Sequence, residues 1–164
     1  MHPHHDLLNR FYTALQRRDA EAMGACYHDD AIFMDPAFGR LTATEARAMW
    51  RMLMGRAKDF AMTFEVEHAD DGSGSGTWEA RYTFSKTGRK VVNRISSRFG
   101  FHEGLILAHR DQFDMWAWTR QALGAPGLLL GWTPFLQKKV QAEARKGLEA
   151  FMAKEEPAPA ETPT

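Results

Sequence analysis

The feature that most constrains this chain is a change of hydrophobic period near residue 60. Before it, apolar residues recur every three or four positions; after it, they alternate. Leu7, Leu8, Phe11 and Leu15 share one face of a helix expected over 6–18. Ala46, Met49, Trp50 and Leu53 do the same behind Thr42-x-x-Glu45, a capping box that opens a second long helix. From Phe60 onward, Met62, Phe64, Val66 and His68 alternate with polar neighbours. Trp78, Ala80, Tyr82 and Phe84 follow the same rule, as do Val91, Asn93, Ile95, Ser97, Phe99 and Phe101. Leu105, Leu107, His109, Asp111 and Phe113 give the last strand its inward face. Helices followed by a four-stranded antiparallel meander predict an α+β fold, with the helices against one face of the sheet.

Punctuation divides the rest. Asp19 caps a short helix over 20–27, and Asp35-Pro36 ends a short strand over 31–34. The run 70–76, Asp-Asp-Gly-Ser-Gly-Ser-Gly, reads as a flexible connection, and Lys86-Thr87-Gly88-Arg89 as a hairpin turn. Trp116 and Trp118 precede the Gly- and Pro-rich segment 124–127, and an amphipathic helix is expected over 135–153. The chain therefore reads as one domain over 1–153, with 119–153 a helical extension. Residues 154–164, rich in Pro, Ala and Glu, read as a disordered tail.

Charge excludes some functions. The 21 Lys and Arg balance the 21 Asp and Glu, so there is no basic field to attract a nucleic acid. No apolar run reaches the roughly 18 residues that a membrane span needs, and no membrane partner is expected. Cys26 is the only cysteine, which with the lack of a secretory leader suggests a cytoplasmic protein. The glycine-rich phosphate and dinucleotide motifs are absent, so no cofactor is expected. His2, His4 and His5 lie close in sequence on an end expected to be mobile, and no spacing proposes a metal site. The many Phe, Trp and Met suit a wide aromatic cavity that takes a small apolar molecule. The apolar stripe of the last helix suggests a homodimer.

Polar residues in inward phase are the candidate site. His109 and Asp111 share the buried face of the last strand, Asn93 and Ser97 that of its neighbour, and His68 extends the set. Asp35 sits at a strand end. Burying a carboxylate is costly unless it is paired, so these positions require a reason. The chemical reason is general acid–base catalysis, with Asp35 or Asp111 as base and His109 as partner. The structural reason is a hydrogen-bond network without chemistry. Phe11, Trp50, Phe64 and Trp116 are the aromatic candidates for contact with the substrate.

The segments 18–39 (Arg-Asp-Ala-Glu-Ala-Met-Gly-Ala-Cys-Tyr-His-Asp-Asp-Ala-Ile-Phe-Met-Asp-Pro-Ala-Phe-Gly) and 104–114 (Gly-Leu-Ile-Leu-Ala-His-Arg-Asp-Gln-Phe-Asp) resemble the nuclear transport factor 2-like superfamily. That group includes ketosteroid isomerases, SnoaL-like polyketide cyclases and limonene-epoxide hydrolases. The resemblance covers about residues 5–118 and implies a cone: a curved mixed or antiparallel sheet wrapped on the N-terminal helices, enclosing a cavity. It also implies roles. The Asp-Pro aspartate of the isomerases, their general base, falls on Asp35. Their two oxyanion donors fall on Phe11 and near Ser96, neither of which can serve. The Arg-Asp-x-Phe-Asp aspartate of the hydrolases falls on Asp111, while the rest of their catalytic set falls on Trp78 and Ala80. The SnoaL-like pairing of an aspartate with a histidine fits Asp111 and His109. Three functions follow: an acid–base enzyme for a small apolar carbonyl, polyketide or epoxide; a non-catalytic binder of such a molecule; or an assembly domain with a vestigial cavity.

Overall fold

The computed structural model describes residues 1–155. Helices α1 (Pro3–Gln16) and α2 (Ala20–Ala25) lead into β1 (Tyr27–Asp35), β2 (Gly39–Thr42) and α3 (Ala43–Arg56). The meander is β3 (Ala61–Ala69), β4 (Ser73–Phe84), β5 (Arg89–His102) and β6 (Leu105–Gln112). Helices α4 (Met115–Leu123), α5 (Ala125–Leu130) and α6 (Pro134–Glu155) close the described chain. The strands form one curved mixed sheet in the order β2-β1-β6-β5-β4-β3, flanked by the N- and C-terminal helices. This is the α+β cone that the period change and the resemblance predicted.

Local signals explain most boundaries. Asp19 accepts from the Ala22 amide as the N-cap of α2, and Thr42 and Glu45 form a reciprocal capping box on α3. Gly88 takes a φ of 72° at the β4–β5 turn. On the outer face, Glu79 accepts from Arg81 at 2.7 Å and from Arg94 at 2.9 Å.

Several expectations need correction. The first helix begins at Pro3, because the His2 ring accepts from the His4 amide as an N-cap and His4 stacks on Phe101. The histidine-rich end is thus folded. β1 is longer than 31–34 because it pairs in parallel with β6, and β2, which the sequence did not suggest, pairs with it across the Pro36 turn. α6 runs to Glu155, where Arg51 makes a double hydrogen bond at 2.9 Å, so the expected tail starts two residues too early. Its remainder, 156–164, lies outside the described residues. Most of the run 70–76 is also not a flexible loop. Asp70 accepts from the Gly72 and Ser73 amides in a tight turn, and β4 starts at Ser73.

The glycines of β4 are there for packing. A Cβ on Gly76 would stand 2.9 Å from the Tyr12 hydroxyl and from the Glu65 carbonyl; one on Gly74 would meet Leu8 and Phe101 at 2.9 Å. Helix α1 therefore rests directly on the sheet, and the glycines are what allow it. Two irregularities reset the strand phases. An extra residue between Val66 and His68 turns His68 out to solvent, where it bonds Asp70 at 2.8 Å. A second shift opposite Gly100 and Phe101 makes Ile106, rather than Leu105 or Leu107, the fully buried residue of β6.

Candidate active site

The site grows from one row of the sheet. Phe33 of β1 pairs with His109 of β6, so one pleat further along Asp35 comes level with Asp111. Asp111 in turn pairs with Ser97 of β5, and Ser97 with Gly76 of β4. The two carboxylates of this row, Asp35 and Asp111, reach a cavity of about 480 Å³, large enough for a small organic molecule. Asp35, Asp111, Asn93, Trp50, Trp78 and Tyr82 contribute to its wall. Exposed Arg56, Ser85, Lys86, Lys139 and Glu143 also contribute and mark its mouth. Leu136, Val140 and Ala144 of α6 form part of the same wall, and α6 is anchored by Gln141 to the Pro36 carbonyl and by Arg145 to the Phe38 and Arg40 carbonyls.

Behind Asp111 runs a directional chain of buried hydrogen bonds. An indole only donates, so Trp50 Nε1 donates to the Tyr27 hydroxyl at 3.0 Å. Tyr27 then donates to His109 Nδ1 at 2.8 Å, which leaves the ring proton on Nε2, directed at Asp111 Oδ1 at 2.7 Å. A second arm runs from Trp78 Nε1 to Ser97 Oγ at 3.2 Å, and from Ser97 to the same Oδ1 at 2.5 Å. Both arms converge on one carboxylate oxygen, Oδ1 of Asp111, which accepts from His109 and Ser97. Burial, with the Asp111 charge adding to it, holds the Tyr27 phenol well above its ordinary range, so it remains a donor.

Asp35 is in different surroundings. Its Oδ1 accepts from the Ala37 and Phe38 amides at 3.0 and 2.6 Å, the turn that Pro36 sets up. Burial, aided by the Asp111 charge, outweighs those two amides and raises its pKa to about 7. Across the cavity, Trp118 Nε1 donates to the Tyr82 hydroxyl at 2.7 Å. Burial and the Asp35 charge raise the Tyr82 pKa, so its own proton stays in place for donation. The amide of Asn93, only 8 % exposed, makes no hydrogen bond among the described residues.

The expected residues separate into three groups. Asp35, Asp111, Trp50 and Asn93 line the cavity. His109 and Ser97 are nearly inaccessible behind Asp111, where they support it rather than meet a ligand. Four aromatic or histidine assignments are corrected. Phe11 is fully buried, its ring against Tyr27, Trp50, Phe99 and His109. Phe64 stacks on Tyr12 away from the cavity, and His68 is exposed for the reason given above. Trp116 lies on the outside of α4, under Arg120. Sequence reasoning missed Tyr27, Tyr82 and Trp78 as polar participants. The signal was present for two of them, since Tyr82 and Trp78 share the inward phase of β4 and a buried hydroxyl or indole must find a partner.

Among the described residues, the group able to hold a metal lies at the opposite end of β6. His28, His102 and Glu103 bring their donor atoms within 4.8 Å. His28 Nδ1 there accepts from the Asp30 amide, which leaves its proton on Nε2, the nitrogen turned to Glu103. That ring is not arranged as a ligand. The cavity carboxylates are not part of any such group.

A family model for SnoaL-like domains matches residues 8–109. No curated protein matches the chain. Solved structures share its fold at low identity. An LEH-like epoxide hydrolase from M. tuberculosis superposes with a TM-score of 0.57 at 20% identity, over 76% of this chain and 90% of that one. IdmH from Streptomyces antibioticus, proposed to be a polyketide cyclase, gives 0.62 at 19% identity, over 76% of this chain and 100% of its own. A Catenulispora acidiphila protein with a ketosteroid isomerase-like fold, in complex with trimethylamine, gives 0.63 at 14%, over 78% and 97%.

Proposed function

The chain belongs to the family of SnoaL-like domains, and on that footing we propose that its cavity moves a proton next to the carbonyl of a small apolar substrate. The observation that carries this reading is a pair of neighbouring carboxylates in one aromatic cavity, with Asp35 raised by burial to about 7. Asp35, near neutrality, takes the proton from the carbon beside the carbonyl and returns it to another position or to the product. Tyr82 and Asn93 supply hydrogen bonds to the oxygen that gains charge. The Trp118 indole, by donating to the Tyr82 oxygen, strengthens the hydroxyl as a donor. Asp111, fixed by Ser97 and His109, orients a polar group of the substrate and raises the Asp35 pKa. This set replaces the oxyanion donors that the family resemblance would have put at Phe11 and near Ser96.

The test is exchange of α-hydrogen for deuterium in a panel of small cyclic ketones, followed by mass spectrometry in buffered heavy water. Exchange is expected to rise as pH passes about 7, following the Asp35 carboxylate. Asp35→Asn is expected to abolish it. If Asp35→Asn exchanges as fast as the native protein, the proposal fails.

A second reading has one observation in its favour: the donors behind Asp111 form a closed buried set, as expected of a fixed anchor. A non-catalytic protein would then hold a ligand by Asp111 and the aromatic wall. Mass spectrometry of the purified protein, with a bound molecule that survives long incubation unchanged, would favour it.

A further inference from the structure

We propose that the corner formed by α5 and the start of α6 docks on an anionic lipid surface, with the cavity mouth beside the contact. Leu128, Leu129, Leu130, Trp132 and Phe135 are each between 50 and 75 % exposed, and Trp116 adds 37 % beside them. Three consecutive leucines on a six-residue helix cannot all face inward, and Gly127 packs that helix closely against the Thr119 backbone. The outward apolar group is thus built in by the fold. Solvent-facing apolar clusters of this kind mark interaction sites.

Two details select lipid as the occupant. First, the polar atoms of the exposed indoles are already satisfied. Trp116 Nε1 donates to the Leu128 carbonyl and Trp132 Nε1 to the Leu129 carbonyl, both at 3.1 Å. The free carbonyls at the end of α5 are used, and the rings can enter an apolar medium without leaving a donor unpaired. Second, the charge pattern is one-sided. From Met115 to Ala142 the chain has no carboxylate and carries Arg120, Lys138 and Lys139. Arg120 shares a surface groove with Arg89 and Lys90. The carboxylates at the margin, Asp59, Asp114 and Glu143, are outnumbered by Arg89, Lys90, Arg120, Lys138 and Lys139. A two-fold contact between copies would bring these cations onto themselves, whereas anionic headgroups complement them.

No helix among the described residues is long and apolar enough to cross a membrane, so the corner would lie on the bilayer rather than span it. Leu136, Lys139 and Val140 continue from the exposed corner into the cavity wall. A lipid-dissolved ligand would therefore enter the cavity directly. The docking is independent of which carboxylate acts as base, and of whether any does.

Sedimentation of the full chain with vesicles tests this. Vesicles of phosphatidylcholine with about 30% phosphatidylserine are expected to carry the protein down, and pure phosphatidylcholine to carry down at least about tenfold less. Raising salt from about 0.05 to about 0.5 M is expected to release it. Leu129→Ser combined with Trp132→Ser and Phe135→Ser is expected to lower binding about tenfold, and Lys138→Gln with Arg120→Gln to remove the preference for anionic vesicles. Circular dichroism and a melting curve on each variant confirm that it is folded. No sedimentation with either vesicle, or sedimentation that the triple variant leaves unchanged, overturns the proposal. So does a dimer in analytical ultracentrifugation that the triple variant dissociates without any vesicle binding, since the corner would then be a contact between copies.

Discussion

Asp35 and Asp111 stand level on adjacent strands, yet one is fastened by buried donors and the other by two turn amides. That difference predicts opposite consequences for substitution. The folded Asp35 holds its proton to about pH 7, against 3.8 for the free side chain, so between those values the native state binds more protons than the unfolded state. Its contribution to stability is therefore full below about pH 4 and declines as pH rises toward 7. Asp35→Asn is expected to stabilise the protein above pH 7 by about 1–3 kcal/mol and to leave it unchanged near pH 4, read from urea unfolding at the two pH values. His109→Ala removes a donor from Asp111 and at once leaves the Tyr27 hydroxyl proton without an acceptor, while that oxygen still accepts from Trp50. A loss of about 3 kcal/mol is expected, larger than for Ser97→Ala at about 1.5–3 kcal/mol, in the same measurement. Tyr82→Phe touches no buried donor chain to Asp111. It orphans the part-buried Trp118 indole, so it is expected to lower the exchange rate constant about 10- to 100-fold and to cost about 1 kcal/mol of stability.

At the scale of elements, β4 shows how a sequence can mislead by composition. Gly-Ser-Gly-Ser-Gly reads as linker because glycine and serine dominate flexible segments. Here Gly74 and Gly76 are strand positions where a helix needs the space of a missing side chain. Gly76→Ala is expected to cost about 1–3 kcal/mol by driving Tyr12 off the sheet, measurable by thermal or urea unfolding. A linker glycine would show almost no change. The two phase shifts in β3 and β6 have the same lesson. Period-two counting carries parity forward correctly only until an extra residue intervenes, so His68 fell on the wrong side while His109 and Asp111, beyond the irregular point, stayed inward. α6 had an ambiguous partner in the sequence. Its stripe packs on the domain, with Leu148 2 % exposed and Ala144, Phe151 and Met152 against the core, so that stripe no longer argues for a dimer.

At the scale of the whole molecule, the helices that follow β6 complete the cavity: Trp118 of α4 holds Tyr82, and α6 supplies wall from Leu136 to Ala144. The alternation of apolar and polar residues determined the α+β class, the meander and the inward phase of Asp111, because parity and capping are local and period-dependent. Helical spacing offered Trp50, strand phase Asn93 and the Asp-Pro turn Asp35, and all three are in the cavity wall. Only the tertiary structure decided which inward side chains meet the cavity and which lie a layer behind it, since Phe11, Ser97 and His109 have the same phase and burial pattern as a lining residue. It alone decided that Asp35 adjoins Asp111, because parallel pairing of β1 with β6 joins strands 70 residues apart in sequence, a distance over which no local periodicity carries register.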